Sequence, residues 1–221
     1  LWPIDDVWGQ HDFTRTGAQG DTAFIGMTRR RFGDQALESA ERFAKYAQWI
    51  NYDGYRAMYE ANNVNRKGLL IWMSHSAWPS LAWQTYDYWF RPTGACAAVR
   101  KACEPLHIQL NPATCRIEVV NASFGDLNNL TASVTLVNPN GEEVYSKTAQ
   151  VSPAEDTTTP VLDIADVPDG LCIVTLSLTS ADGKLLSENR YFRNFRSGKD
   201  TGDYQALVGT KWLDDSMLRF D

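Results

Sequence analysis

The sequence is poor in the residues that build metal centres, disulfide scaffolds and membrane spans. It has 221 residues with four cysteines and three histidines, and neither a Cys-x-x-Cys motif nor a Cys/His cluster occurs. We therefore predict no zinc site and no cofactor. The longest apolar runs, such as Leu69–Met73, are far shorter than the roughly 20 residues that span a bilayer, which excludes a transmembrane helix.

The cysteines are too few and too badly spaced for a disulfide framework. Cys96 and Cys103 lie in one predicted helix, where their spacing corresponds to roughly 10 Å of rise. A disulfide needs Cα atoms within about 7 Å, so this pair does not bridge. Cys115 and Cys172 lie in strand-like segments and could pair, but we favour free thiols.

Positive charge is also scarce. Lys and Arg number 21 against 27 Asp and Glu, the net charge is −6, and the only tight basic cluster is 29–31. This balance argues against a nucleic-acid-binding protein. The chain begins at Leu1 without a signal peptide, so we expect either a processed mature chain or a piece of a larger protein.

The aromatic residues divide the chain into two unlike halves. Residues 1–105 hold 18 of them and residues 106–221 hold 8, and seven of the eight tryptophans lie in the first 89 positions. The second half is instead rich in alternating β-branched residues and turn dipeptides. We predict a boundary near Glu104-Pro105, with different structural classes on its two sides.

The first half has the pattern of an α/β repeat. Residues 1–33 carry five glycines and no clean periodicity, so we expect mostly loop there. A helix is predicted over 36–62, because apolar and small residues that would share one packed face recur there at three- and four-residue steps: Phe43, Ala47, Ile50, Gly54, Ala57 and Ala61. The unbroken apolar run 69–73 predicts a strand buried on both faces, and the polar and aromatic loop 74–91 leads to a predicted helix over 94–103.

The second half has the pattern of a β-sandwich. Asn140-Gly141 and Asp182-Gly183 are strong hairpin signals. Apolar alternation predicts strands over 116–120, 132–137, 142–151, 159–164, 171–178 and 185–195. Short strands at this spacing indicate an immunoglobulin-like sandwich over 106–196. Residues 197–221 are interpreted as a tail or the start of a further domain.

Several motifs resemble those of one enzyme family. They are GLLIWMSHSAWPSLAWQTYDY at 68–88, EPLHIQ at 104–109 and VVN at 119–121. The upstream motif WGQHD at 8–12 and the predicted helix over 43–59 also match that family. The resemblance covers roughly residues 1–205 and is to glycoside hydrolase family two, in the branch of exo-β-glucosaminidases, β-mannosidases and endo-β-mannosidases.

The resemblance implies an α+β fragment of a larger enzyme. Residues 1–105 would be the C-terminal part of a (β/α)8 catalytic barrel, with 69–73 as its eighth strand and 94–103 as its last helix. Residues 106–196 would be the sandwich that follows. The rest of the barrel and an N-terminal sandwich domain would lie upstream and act as partners of this chain.

The family uses a retaining mechanism with two carboxylates, and the resemblance places both upstream of Leu1. We therefore predict no catalytic residue in this chain and no activity for it alone. The sequence agrees independently, because a barrel takes about 250 residues and only about 105 precede the sandwich. Glu38, Glu41 and Glu60 lie on the predicted helix, where we expect them to be solvated.

The candidate substrate-binding residues follow the predicted last strand. Trp72 would stack on a sugar ring at the barrel mouth, with a core tryptophan as the alternative. His75 and Ser76 would bind hydroxyls, with a structural role equally open for His75. Trp78 would line the cleft or pack the loop. His11 would reach the rim from upstream. Trp83 has the same two interpretations as Trp78, and Asp12 could reach the rim with His11. Tyr86, Asp87 and Tyr88 are expected to hold the loop to the last helix rather than to contact substrate, and His107 is interpreted as an interdomain packing residue.

The resemblance implies a parent enzyme, periplasmic or secreted, that hydrolyses terminal β-linked mannosyl or glucosaminyl residues, with galactosyl residues less favoured. The alternative is a non-catalytic carbohydrate-binding or interaction module with an aromatic platform for sugars. We also expect self-association through exposed barrel surface. An aromatic patch with a polar rim would favour the module.

Overall fold

The computed structural model describes residues 2, 24–65, 68–79, 84–122, 125–165 and 168–215. The chain is α+β, with antiparallel sheets, and divides into two compact units. The first unit contains residues 1–59, 69–101 and 205–221, and the second contains 60–68 and 102–204. The predicted division into 1–105, 106–196 and 197–221 stays a prediction.

Most of the helical structure precedes the strands. The α-helices are α1 (Phe24–Phe32), α2 (Ala40–Asn65), α3 (Gly94–Ala102) and α4 (Lys211–Asp215), with 3₁₀ turns at Asp34–Leu37 and Gln205–Leu207. Aromatic rings fill part of the first unit, where Phe32 stacks on Tyr46 at 4.8 Å and meets the edge of Trp49 at 6.1 Å. All three rings are buried. No helix in the described ranges is both long and apolar enough to cross a membrane.

Helix α1 corrects the expectation that residues 1–33 are mostly loop, for the part that is described. The helix is short and contains Gly26, so its periodicity is weak, but Ile25 and Phe32 are buried. It ends at Gly33, which has a φ of 76° and donates from its backbone N–H to the carbonyl of Arg29. A positive φ is accessible to glycine at little steric cost, which suits it to the residue after a helix.

Helix α2 confirms a long helix near the predicted range, but its buried face differs from the predicted one. Phe43 and Ile50 are buried as expected, whereas Ala57 and Ala61 are exposed. Further along, the buried positions include charged residues: Arg56 donates to Asp53 at 3.0 Å, and Arg31 of α1 donates to the same carboxylate at 2.9 Å. Ion pairing makes these buried positions possible where apolar periodicity stops.

Helix α3 approaches α2 very closely at its first residue. The backbone N–H of Gly94 donates to Gln48 Oε1 at 2.6 Å. A Cβ atom at position 94 would lie only 2.3 Å from the carbonyl oxygen of Gln48. Ala95 and Ala98 continue the small-residue face and pack with Tyr55. Glycine is therefore required at 94 by the space between the helices.

The predicted buried strand over 69–73 is wrong for this chain. The segment has no strand structure, and Leu70 is 98% exposed. A parallel strand is stabilised by hydrogen bonds to neighbours on both sides. In the described ranges of the first unit no such neighbour occurs, and the bridges nearby are the isolated ones between His75 and Tyr86 and between Tyr86 and Pro92.

The second unit contains two antiparallel sheets that share one apolar core. One sheet has the order β1-β2-β5 and the other β4-β3-β6-β7-β8. The strands are β1 (Leu106–Asn111), β2 (Arg116–Asn121), β3 (Leu130–Val137), β4 (Glu143–Val151), β5 (Thr157–Asp163), β6 (Gly170–Thr179), β7 (Leu185–Arg196) and β8 (Lys199–Asp200). All six predicted strands are present within a few residues of their predicted ends.

The predicted hairpins form at the expected dipeptides. Asn140-Gly141 connects β3 to β4, and Asp182-Gly183 connects β6 to β7, with positive φ angles at both glycines. In β3 the side chains alternate between buried and half-buried, which is the predicted pattern of a strand with one face in the core. All four cysteines are free thiols, so Cys115 and Cys172 do not pair.

Asn121 holds the end of β2 to two loops. Its side chain is fully buried, and Nδ2 lies 3.0 Å from the carbonyl oxygen of Gly125, 3.2 Å from that of Pro153 and 3.1 Å from that of Ala154. The amide therefore satisfies carbonyl groups that no strand partner reaches.

Candidate functional site

The described residues 69–79 and 84–93 of the first unit carry the candidate site, and hydrogen bonds join these two segments. The backbone N–H of Tyr86 donates to the carbonyl of Ser74 at 2.9 Å, and the hydroxyl of Thr85 donates to the same oxygen at 3.1 Å. Thr93, just before α3, donates from its backbone to Thr85 and from its hydroxyl to Gln84. These bonds hold the polar and aromatic loop against the start of α3.

The tip of this loop is a turn organised by Asp87. Its Oδ1 accepts hydrogen bonds from the backbone N–H groups of Trp89 and Arg91, both at 2.9 Å, and its Oδ2 accepts one from Arg91 Nε at 2.6 Å. The backbone N–H of Phe90 donates to the carbonyl of Asp87 at 3.0 Å, and Phe90 has a φ of 62°. We call residues 87–91 the aromatic turn.

The same contacts lower the pKa of Asp87. Desolvation acts to raise it, but the backbone and side-chain hydrogen bonds from Arg91, its positive charge and the backbone hydrogen bond from Trp89 together outweigh that effect. The carboxylate is therefore ionised and occupied as a structural acceptor, which does not suit it to proton transfer.

Large aromatic side chains around this loop are unusually exposed. The exposed fraction is 82% for Trp72, 59% for Trp78, 61% for Trp89 and 72% for Phe90. The Arg91 guanidinium carbon lies 5.2 Å from the ring centroid of Trp89, and the two side chains line an open depression of about 490 Å³. Exposed aromatic rings beside hydrogen-bonding groups can hold the apolar face of a ring-shaped ligand.

His75 lies inside this group of aromatic residues. Its ring stacks on Phe90 with centroids 4.1 Å apart and planes 13° apart, and it lies nearly parallel to the ring of Tyr88 at 6.3 Å. Its Nε2 is 3.1 Å from the carbonyl oxygen of Tyr88. The imidazole is therefore fixed against the aromatic turn by both stacking and hydrogen bonding.

The predicted site residues differ in how far they are exposed to solvent. Trp72 and Trp78 are exposed and His75 is half-buried, whereas Ser76 is only 3% exposed. The peptide bond between Trp72 and Met73 is cis. His11 lies outside the described residues. The substrate contacts predicted for these five residues stay predictions.

Sequence reasoning missed the aromatic turn as a candidate. Trp89, Phe90 and Arg91 were not singled out, although three consecutive aromatic residues and an arginine directly after an aspartate in a polar loop were a usable signal. Tyr86, Asp87 and Tyr88 were expected to hold the loop to the last helix, whereas the hydrogen bonds of the Asp87 side chain stay within the turn 87–91.

A separate polar cluster is buried in the second unit and corrects the expectation that Glu60 is solvated. Glu60 is only 4% exposed, while Glu38 and Glu41 are exposed as predicted. Glu60 Oε1 accepts hydrogen bonds from Asn189 Nδ2 at 2.9 Å and from the hydroxyl of Tyr191 at 2.8 Å.

His107 lies between two carboxylates of this cluster rather than acting as a simple packing residue. Its ring nitrogens are 3.0 Å from Glu60 Oε1 and 3.3 Å from Glu104 Oε2. Burial acts to lower the pKa of His107, but the hydrogen bonds and charges of the two glutamates raise it further than burial lowers it. Apart from the half-exposed Glu104 the residues of the cluster are buried, and the cluster lies within the second unit, which favours a structural role.

Metal binding has no support in the described ranges, since they contain no group of three or more His, Cys, Asp or Glu residues placed to hold an ion.

Comparison with known proteins identifies relatives of the chain. No protein-family model matches. The exo-β-D-glucosaminidase of Amycolatopsis orientalis is 32% identical over 212 residues, which cover 86% of this chain and 20% of that protein. The exo-β-D-glucosaminidase of Streptomyces avermitilis is 33% identical over 174 residues, which cover 73% of this chain and 19% of that protein. The chain thus spans about a fifth of the length of these curated relatives.

Solved structures share the fold. The exo-chitosanase CsxA of Amycolatopsis orientalis, solved with PNP-β-D-glucosamine, superposes with a TM-score of 0.79 at 24% identity, over 93% of this chain and 28% of that one. A β-D-mannosidase from Dictyoglomus thermophilum superposes with a TM-score of 0.70 at 16% identity, over 87% of this chain and 24% of that one.

The motifs over 68–88 and 104–109 and the sequence relatives point to the same family, and the solved structures show its fold. From the match to exo-β-D-glucosaminidases and the shared fold, we conclude that the chain belongs to glycoside hydrolase family two, in the exo-β-glucosaminidase and β-mannosidase branch, and corresponds to the C-terminal region of its members.

Proposed function

We propose that this chain is the C-terminal part of a retaining β-glycosidase that hydrolyses terminal β-linked glucosaminyl or mannosyl residues, with galactosyl residues less favoured. The observation that carries the proposal is the match to exo-β-D-glucosaminidases along 86% of the chain. The exposed aromatic loop supports it, because stacked rings are a suitable surface for a sugar.

In this proposal the first unit completes a catalytic barrel. The loop 68–93 would lie at the C-terminal mouth, where (β/α)8 enzymes place their active sites, and α3 would be the last barrel helix. Residues 69–73 would gain strand neighbours from the upstream barrel. The exposed side chains of Leu69, Leu70 and Trp72 support this, since they offer free surface to such neighbours.

The second unit would be an immunoglobulin-like sandwich. Its strand order supports this proposal, because β1, β2 and β5 form one sheet and β4, β3, β6 and β7 form the other. That division corresponds to strands A, B and E facing C′, C, F and G, and the shared apolar core lies between the sheets. A further sandwich domain would precede the barrel.

The substrate contacts would come from the loop. Trp72 would stack on the terminal sugar, His75 and Ser76 would bind its hydroxyls, and Trp78 would line the cleft. The high exposure of Trp72 and Trp78 supports their roles, whereas Ser76 is buried in this structure. His11 would approach from the upstream side.

The two catalytic carboxylates would lie upstream of this chain, so the chain alone would hydrolyse no glycoside. The state of Asp87 supports this, because its carboxylate already accepts three hydrogen bonds within the aromatic turn. The test is release of p-nitrophenol from β-glucosaminide and β-mannoside substrates by residues 1–221 and by the longer protein. We expect turnover only from the longer protein, and turnover by residues 1–221 at an ordinary enzymatic rate would overturn the proposal.

A non-catalytic sugar-binding module is the second candidate function. The depression lined by Trp89 and Arg91 favours it, because an aromatic ring beside a guanidinium is a compact platform with a polar edge. The same assay separates the two functions. A longer protein that binds methyl β-glucosaminide but releases no p-nitrophenol would be such a module.

A further inference from the structure

The hydrogen bond between His75 and Tyr88 determines which ring nitrogen carries the proton. Nε2 lies 3.1 Å from a backbone carbonyl oxygen, which has no hydrogen to donate. Nε2 must therefore be the donor. In a neutral imidazole only one nitrogen carries hydrogen, so Nδ1 is left as an acceptor.

The second nitrogen is open to a ligand. Within the described part of the chain His75 Nδ1 makes no hydrogen bond, and it is not among the side-chain atoms that are buried without a partner. The ring cannot easily turn to change this, because Phe90 stacks on it at 4.1 Å and Tyr88 holds Nε2. The aromatic turn, fastened by Asp87, thus presents a fixed acceptor at the surface.

We propose that His75 is a specificity-determining residue whose Nδ1 accepts a hydrogen bond from a hydroxyl or amino group of the bound sugar. The inference rests on the proposed function, which supplies the class of ligand, and goes beyond it by fixing the direction of the hydrogen bond. The ligand group at this position must be a donor.

The direction of this hydrogen bond decides which ligand groups can bind to His75 Nδ1. A sugar hydroxyl or a protonated amine can donate to Nδ1, whereas a deoxy position or an ether oxygen at the same place has no hydrogen to donate. A site built around one hydrogen bond discriminates strongly against ligands that leave it unmade. His75 therefore selects sugars that present a hydroxyl or amino group there against sugars that lack a donor at that position.

Two substitutions of His75 test the acceptor role of Nδ1 separately from the donor role of Nε2. His75→Asn keeps an oxygen acceptor near the position of Nδ1 but loses the donor to Tyr88. His75→Gln keeps a donor near Nε2 but offers no acceptor at the δ position. We expect His75→Gln to weaken binding of methyl β-glucosaminide by roughly fivefold, the loss expected for one net hydrogen bond, and His75→Asn to weaken it less.

The decisive measurement is the ¹⁵N spectrum of the imidazoles in residues 1–221, recorded in mildly alkaline buffer. The chain has three histidines, so the variants assign the His75 signals directly. We expect the Nε2–H tautomer in the free chain and a shift of Nδ1 alone when methyl β-glucosaminide or methyl β-mannoside is added. The Nδ1–H tautomer, an unmoved Nδ1 signal at sugar saturation, or equal binding by both variants would overturn the inference.

This outcome is distinguishable from failure of the proposed function. Hydrolysis by the longer protein together with an unmoved Nδ1 signal would retain the glycosidase and reject the role of His75. Sugar binding through Nδ1 without hydrolysis by the longer protein would reject the glycosidase and retain the role of His75.

Discussion

Trp72 is the residue on which the proposed sugar site depends most. Its ring is 82% exposed, so its removal should change ligand contacts without disturbing a core. In the longer enzyme we expect Trp72→Ala to lower kcat/KM more than about tenfold, or about 1.4 kcal/mol, because stacking would no longer hold the sugar as its ring flattens in the transition state. Steady-state kinetics on p-nitrophenyl β-glucosaminide measures the effect.

Leu70 provides the matched control for this substitution. It lies in the same segment, which the proposed barrel would cover, but has no ring to stack on a sugar. Leu70→Ala should leave kcat/KM unchanged. Equal losses in both variants, or a Trp72→Ala enzyme that no longer folds, would show that the segment has a structural role instead.

His107 should make stability depend on pH. Its pKa in the folded chain is raised above the ordinary value of 6.5, because Glu104 and Glu60 outweigh the opposing effect of burial. A raised folded pKa means that the protonated ring stabilises the fold. The contribution is fully present below pH 6.5 and is lost as the pH rises through the folded pKa.

The measurement is the melting temperature of the second unit within the full chain, as a function of pH. We expect it to fall as the pH rises above 6.5, and we expect His107→Gln to be less stable and to lack this part of the pH dependence. A variant with the same pH profile as the unmodified chain would assign the dependence to another group.

Prediction from the sequence failed most clearly for single polar residues that are buried in the structure. The positions of Glu60, Asp53 and Arg56 on α2 follow helical spacing, but hydrophobic periodicity treats a charged residue as solvated. The burial of Glu60 depends on partners such as Tyr191 and Asn189, which lie more than a hundred positions away along the chain. No local pattern identifies such partners.

At the scale of elements, substitutions of two glycines test the contact between α2 and α3. Gly94→Ala would place a methyl group 2.3 Å from the Gln48 carbonyl oxygen, so the helices must separate. We expect a loss of about 1–3 kcal/mol in the free energy of unfolding. Gly54 lies in the interior of α2 with nothing within 4 Å of its added Cβ.

Gly54→Ala is therefore the control for the intrinsic helix preference. We expect it to stabilise the chain by about 0.5–1 kcal/mol, because alanine loses less backbone entropy than glycine in a helix. Urea unfolding of both variants measures the two changes. If Gly94→Ala were also stabilising, α3 would not be held against α2 as the structure has it.

Elements whose stabilising contacts lie close together in the sequence could be predicted. The hairpins β3–β4 and β6–β7 were found because the turn dipeptides and the alternation of apolar residues act over a few positions. The run 69–73 was interpreted as a strand for the same reason, yet a parallel strand exists only with neighbours from elsewhere. Helix α1 was missed because nine residues with one glycine give too weak a period.

At the scale of the whole molecule, the exposed apolar surface should make copies of residues 1–221 associate. Leu70 and Phe90 are 98% and 72% exposed, and clusters of such residues promote association. We expect light scattering to show a mass that rises above 24.8 kDa with concentration. Replacing Leu70 and Phe90 together by serine should reduce the increase.

A control substitution tests whether the surface is specific. Leu185 is 50% exposed and lies on β7 in the second unit, so Leu185→Ser removes apolar area from a different region. We expect it to leave association unchanged. A chain that stays monomeric at high concentration would show that the aromatic loop does not promote self-association.

The burial of Asn121 also determines which asparagine of the folded chain can carry an N-linked glycan. The sequence contains two N-glycosylation motifs, Asn121-Ala-Ser123 and Asn129-Leu-Thr131. A glycan is attached to the side-chain nitrogen, and in Asn121 that atom is buried against three carbonyl oxygens, whereas Asn129 is exposed. A eukaryotic secretory host should therefore yield folded chains that carry a glycan at Asn129 and none at Asn121, and peptide mass mapping would detect it.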